Sequence, residues 1–128
     1  MFDLKGNKAR IKINGVFLGL SISGSLFLLG LIIVALLVNF FNMTSTTTNK
    51  IMFVINYGVV FIGGIIAAYT SQSRGWLNGG LVGLSYTIVL IIIGSLVTSF
   101  VFSSSMVLKI LIICLISSLG GIIGINMV

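Results

Sequence analysis

The sequence predicts an all-α fold, an integral membrane four-helix bundle, and three observations predict it. Apolar residues make up 58% of the 128 residues and charged residues only 6%, whereas a soluble chain carries about 25% charged residues. The apolar residues gather into four long runs rather than scattering. The gaps between the runs are short, and six of the seven basic residues lie outside the runs, four of them before the first. With a mean hydropathy of +1.30, the chain has too little polar surface to clothe a water-soluble core, so lipid is its expected solvent.

The expected spans are residues 15–38, 51–69, 79–102 and 107–127, with residues 1–14 a basic cytoplasmic tail and 15–128 a single transmembrane domain. A helix needs roughly 20 residues to cross a hydrocarbon core about 30 Å thick. Lipid cannot satisfy backbone polar groups, and four separate runs cannot close a barrel, so each run is expected to be a helix. The first run follows a basic stretch as a secretory leader would. It is too long for a leader's apolar segment and no small-residue cleavage site follows it, so an uncleaved span is expected. Asn39-Phe40-Phe41-Asn42 reads as its interfacial exit. Three short connections follow: the threonine-rich Met43–Lys50, Thr70–Asn78 with Arg74 and Trp76, and Ser103–Met106, which reads as a turn. Links this short force neighbouring helices to run antiparallel. Proline is absent, so any bend must come from glycine.

Charge sets the expected orientation. Lys5, Lys8, Arg10, Lys12 and Arg74 fall on one side of a four-span chain, and Lys50 and Lys109 on the other. The richer side faces the cytoplasm, which puts both termini there in a multi-pass protein. Lys50 and Lys109, at the starts of spans two and four, can snorkel to headgroups. Arg10, Arg74 and Trp76 are candidate lipid-headgroup contacts, with Trp76 an interfacial anchor. A net charge of +6 could signal nucleic acid, but that needs a basic patch on a soluble scaffold, so no nucleic-acid partner is expected.

Small residues recur four apart in every span: Gly15/Gly19, Gly63/Ala67 beside Gly64/Ala68, Gly79/Gly83, Ser95/Ser99 and Gly120/Gly124, with Gly121 adjoining. Such small-xxx-small (GxxxG) faces let helix backbones approach closely, and packing within one chain is their first expected use. Their number leaves some for self-association or for a larger membrane complex. Asn56 is the most polar side chain well inside a span, expected to bond a Ser or Thr of another helix. Asn14 and Asn78 read as helix N-caps.

Two stretches share a frame. Residues 10–21 and 74–85 both read R-x-x-x-N-G-x-x-x-G-L-S, and Gly63-Gly64-Ile65-Ile66 matches Gly120-Gly121-Ile122-Ile123. The two arginines of the whole chain are the aligned pair. This fits either an internal repeat of two parallel helical hairpins, related by an axis along the membrane normal, or the start chemistry that any cytoplasmic helix end selects.

The segment Ser73-Arg74-Gly75-Trp76-Leu77-Asn78-Gly79-Gly80-Leu81-Val82-Gly83 resembles the loop and third span of YrzE-like proteins. Gly63-Gly64-x-x-Ala67-Ala68 and Gly120-Gly121-x-x-Gly124-x-Asn126 are similar to the same family. The resemblance covers residues 58–126, and reaches the first span mainly in hydropathy. It implies a small four-span protein of a bacterial cytoplasmic membrane and supplies no catalytic residue.

No Asp, Glu or His lies in any span, the only acid being Asp3. A proton relay, a metal site and a nucleophile–base pair therefore lack their residues, so neither an enzyme nor any cofactor is expected. Four-span multidrug exporters are similar in size but depend on an intramembrane glutamate that is missing here. Cys114, the single cysteine, reads as an inert buried thiol. The expected role is a structural or accessory subunit packing against a membrane complex or itself. The alternative is a self-assembling channel or transporter with a neutral polar path, for which Asn56, Ser85, Thr87 and Ser95 form no obvious continuous stripe.

Overall fold

The computed structural model describes residues 13–99 and 101–128. They form four helices: α1 (Ile13–Phe41), α2 (Ser45–Ser71), α3 (Gly75–Val97) and α4 (Ser104–Asn126). All four are long and apolar enough to cross a membrane. The protein is an all-α membrane bundle.

The helix ends depart furthest from the hydropathy boundaries in two places, while α1 runs on to Phe41, α3 begins four residues early at Gly75 and α4 begins three early at Ser104. α2 begins at Ser45, so most of the threonine-rich connection is its first turns. Thr44 holds an extended backbone, its carbonyl accepts from the Thr48 amide at 3.0 Å, and the Thr48 hydroxyl bonds the same carbonyl at 3.1 Å. Polar residues continue a helix into the headgroup layer as readily as apolar ones, so polarity marked the edge of the membrane rather than the end of the helix. At the other connection α3 stops at Val97 rather than Phe102. Thr98 turns extended (φ −132°, ψ 154°) while its amide and hydroxyl both bond the Gly94 carbonyl at 3.0 Å. The residues that follow are mainly β-branched or aromatic, types that favour extended backbone, and their hydropathy carried the expected span past the true end. Ser103 accordingly precedes the first turn of α4 instead of forming a turn with its neighbours.

α2 is the hub. It packs against α1, α3 and α4, α3 also meets α1 and α4, and among the described residues α1 and α4 do not meet. The interior is small and polar. Ser23, Ser71, Asn78 and Ser117 are buried beside Val60, Ala67, Ala68 and Val82, whereas Leu, Ile and Phe side chains cover the outside. Lipid is as apolar as leucine and gives no reason to hide it, so the interior is chosen for close approach and for hydrogen bonds. One larger cluster, Val59, Val60, Tyr86 and Ile113, fills the half of the bundle that carries Lys109.

Candidate functional site

Two glycine–serine crossings hold the helices together. On α1, a Cβ at Gly19 would lie 2.6 Å from the Gly63 carbonyl oxygen and 2.9 Å from Ala67 Cβ, and one at Gly15 would overlap Ser71 Oγ. Ser23 sits over Gly63, donating to the Gly19 carbonyl at 2.8 Å and to the Val59 carbonyl of α2 at 3.5 Å. The second crossing joins three helices. Ser117 of α4 donates to the Gly79 carbonyl of α3 at 2.5 Å and to the Val60 carbonyl of α2 at 3.4 Å. Its own carbonyl lies against both Gly64 and Gly79. Gly120 and Gly124 face the Phe61 and Ile65 carbonyls of α2, while Gly121 faces Gly75 and Gly79 of α3. Gly83 lies against Ile113, Cys114 and Ser117. Adjacent glycines thus serve different neighbours: Gly63 meets α1, and Gly64 meets α4.

At the Arg74 end, the two asparagines of the shared frame part company. Asn14 is exposed in the first turn of α1, whereas Asn78 is fully buried. Neither is an N-cap. Arg74 occupies that position for α3 with a left-handed backbone (φ 31°), and Asn78 reaches back to donate to the Ser73 and Arg74 carbonyls. Those carbonyls satisfy the Nδ2 donors of this fully buried amide, while its Oδ1 has no hydrogen-bond partner among the described residues. Arg74 and Trp76 are both exposed, as headgroup contacts require. Arg10 lies outside the described residues.

At the Lys109 end, α2, α3 and α4 part to leave a cavity of about 350 Å³ lined by Phe53, Asn56, Thr87, Leu90, Thr98, Lys109 and Ile110 among others. Asn56 does not bond a serine or threonine. Its Oδ1 accepts from the Tyr86 hydroxyl of α3 at 2.6 Å. Tyr86 is buried, and Phe27 of α1 meets its ring edge-on at 6.0 Å. The threonine hydroxyls are turned inward to their own helix: Thr87 to the Gly83 carbonyl at 2.8 Å and Thr98 to that of Gly94 at 3.0 Å. Lys109 holds its Nζ 5.2 Å above the Phe53 ring, itself stacked on Tyr57. Below Ile113 the Ser117 crossing closes the bundle. Of the four residues considered for a polar path, Asn56 and Thr87 line this cavity, while Ser95 is exposed and bonds the Ile92 carbonyl of its own helix. Among the described residues no group of three or more His, Cys, Asp or Glu gathers that could hold a metal.

A family model described as "Protein of unknown function (DUF3792)" matches residues 12–124. The chain belongs to this family. Within DUF3792 the match takes in α1 as fully as the other helices, so the resemblance to YrzE-like proteins extends beyond residues 58–126. The uncharacterized membrane protein YrzE of Bacillus subtilis (strain 168) is 29% identical over 113 residues, 88% of this chain and 75% of that protein. No solved structure matches. The DUF3792 chain also holds residues of these crossings and of the cavity wall that sequence reasoning passed over. Ser23 and Ser117 each stand four residues from a glycine, Gly19 and Gly121, and so extend the small-residue spacing already visible. Tyr86 had a subtler signal, a phenol in mid-span that needs a partner for its hydroxyl.

Proposed function

We propose that the chain is a small, non-catalytic accessory subunit of a bacterial cytoplasmic membrane, docking sideways against a transmembrane helix of a larger complex. Both termini face the cytoplasm in this reading, following the five-to-two division of basic residues. The observation that carries it is the outward face of α2. Gly58 is exposed with nothing within 4 Å of where a Cβ would stand, between the exposed Val54 and Ile62. A glycine that packs on nothing within its own chain lowers helix propensity by about 1 kcal/mol relative to alanine without return. A foreign helix approaching closely there would supply the return. Gly24 and Gly94 are likewise open within the chain but only half-exposed, whereas the paired glycines of the crossings already meet neighbours inside the bundle.

The channel reading has less support, because the Ser117 crossing closes the cavity at the Lys109 end and the threonine hydroxyls bond their own helices. The test is purification of tagged protein in mild detergent. Gly58→Leu is expected to accumulate and unfold like the parent but to lose a co-purifying membrane protein. Gly64→Leu is expected to reduce abundance itself. If Gly58→Leu keeps every co-purifying protein, the accessory reading fails.

A further inference from the structure

The cavity at the Lys109 end has a consistent chemical polarity. Its lining is mostly apolar, and the donors it leaves free are the Lys109 ammonium and the Asn56 amide edge. The Tyr86 hydroxyl occupies Asn56 Oδ1, which turns the other edge of that amide, two N–H donors, away from the phenol. The Thr87 and Thr98 hydroxyl protons are committed to backbone carbonyls. Lys109 brings a full positive charge with only the face of Phe53 beside it. No acidic side chain exists among the described residues, since the single acid of the chain is Asp3. An unpaired ammonium and a free amide edge, set along an apolar trough, ask for an anion and a second acceptor carried on a hydrocarbon body.

The spacing fits that description. Lys109 Nζ is level with Phe53, and Asn56 stands three residues further along α2, about 4.5 Å deeper by helical rise. In a glycerophospholipid the phosphate lies outermost and the ester carbonyls follow one glycerol unit deeper, ahead of the acyl chains. A volume of about 350 Å³ is near the small end of the ~300–1,000 Å³ typical of ligand pockets, room for part of one chain and not for two. We propose that this cavity binds one anionic glycerophospholipid, its phosphate on Lys109, an ester carbonyl on Asn56 and one acyl chain along Leu90 and Ile110. The shared chemistry, a phosphate oxyanion, could also come from free phosphate, and the experiment separates the two.

Full-length protein in mild-detergent micelles is offered phosphatidylglycerol, phosphatidylcholine or inorganic phosphate, and native mass spectrometry counts what stays bound. One phosphatidylglycerol per chain is expected, retained about fivefold better than phosphatidylcholine, the preference that one lysine beside an anionic headgroup gives. Lys109→Gln, at an exposed position, is expected to abolish the preference, and Lys109→Arg to restore it. Asn56→Leu is expected to lower retention of both lipids about two- to threefold while keeping the preference. Lys50→Gln, at the same end of the bundle but outside the cavity, is expected to change nothing. Equal retention of the two lipids, an unchanged Lys109→Gln, or an equal effect of Lys50→Gln would overturn the proposal. So would displacement of the lipid by inorganic phosphate, which would reduce the cavity to a site for a free anion.

Discussion

Tyr86 places a phenol in the middle of a span, where only another protein group can satisfy its hydroxyl. Asn56 answers from α2, and the pair ties the cavity floor to the core cluster. Interhelical bonds of this kind average about 0.6 kcal/mol and reach about 1.7. Tyr86→Phe is therefore expected to lower stability by about 0.6 kcal/mol, read from unfolding of the purified protein in mixed micelles. A double-mutant cycle with Asn56→Ala should recover a coupling of similar size. Additive losses would show that the two side chains act independently. Ser117 carries more, because its hydroxyl reaches two other helices and its carbonyl abuts two glycines. Ser117→Ala is expected to cost more than Tyr86→Phe, toward about 1.7 kcal/mol, and Ser117→Val more still by adding bulk at the crossing. The sequence exposed Asn56 as the polar outlier but concealed its partner. The two lie 30 residues apart on different helices, and no periodicity within one helix records which face of another it will meet.

Among the helices, what separates one glycine from the next is whether a backbone stands opposite. A Cβ at Gly64 would strike the Ser117 carbonyl, and one at Gly121 the Gly75 carbonyl, while Gly24 and Gly94 have nothing within 4 Å. Backbone atoms cannot rotate aside, so Gly64→Ala and Gly121→Ala should each lower stability by about 1–3 kcal/mol. Gly24→Ala should be neutral or slightly stabilising, since alanine is the better helix former. Membrane abundance and micellar unfolding would check both, and equal behaviour of the two sets would mean the crossings are looser than their geometry. Helix number and order could be read from hydropathy because each run had to match the bilayer. The ends could not, at Ser45 and at Val97, because hydropathy reports where lipid stops and backbone hydrogen bonding decides where a helix stops. The shared arginine–asparagine frame shows the same limit. It aligned Asn14 with Asn78, but one is exposed and the other buried, so identical letters took different surroundings.

For the whole molecule, the proposed orientation makes a direct prediction. In a background with Cys114→Ala, cysteines at Lys5 and Arg74 should resist an impermeant thiol reagent in intact cells, and a cysteine at Thr46 should react. Labelling at Arg74 without labelling at Thr46 would reverse the orientation. The four-helix membrane architecture was legible at this scale because composition alone dictates the solvent, and the solvent dictates helices. The arrangement around α2 was not, since short connections fix antiparallel neighbours but leave open which helices meet across the bundle. That α1 and α4 stay apart has a consequence in time. The first crossing, Ser23 over Gly63, draws only on α1 and α2 and can close while the rest of the chain is still being made. The Gly64 face must wait for Ser117 and Gly124, roughly 3–12 s of synthesis at about 5–20 residues per second. During that interval two newborn helices stand in lipid with a bare glycine edge, open to whatever neighbour the insertion machinery presents first.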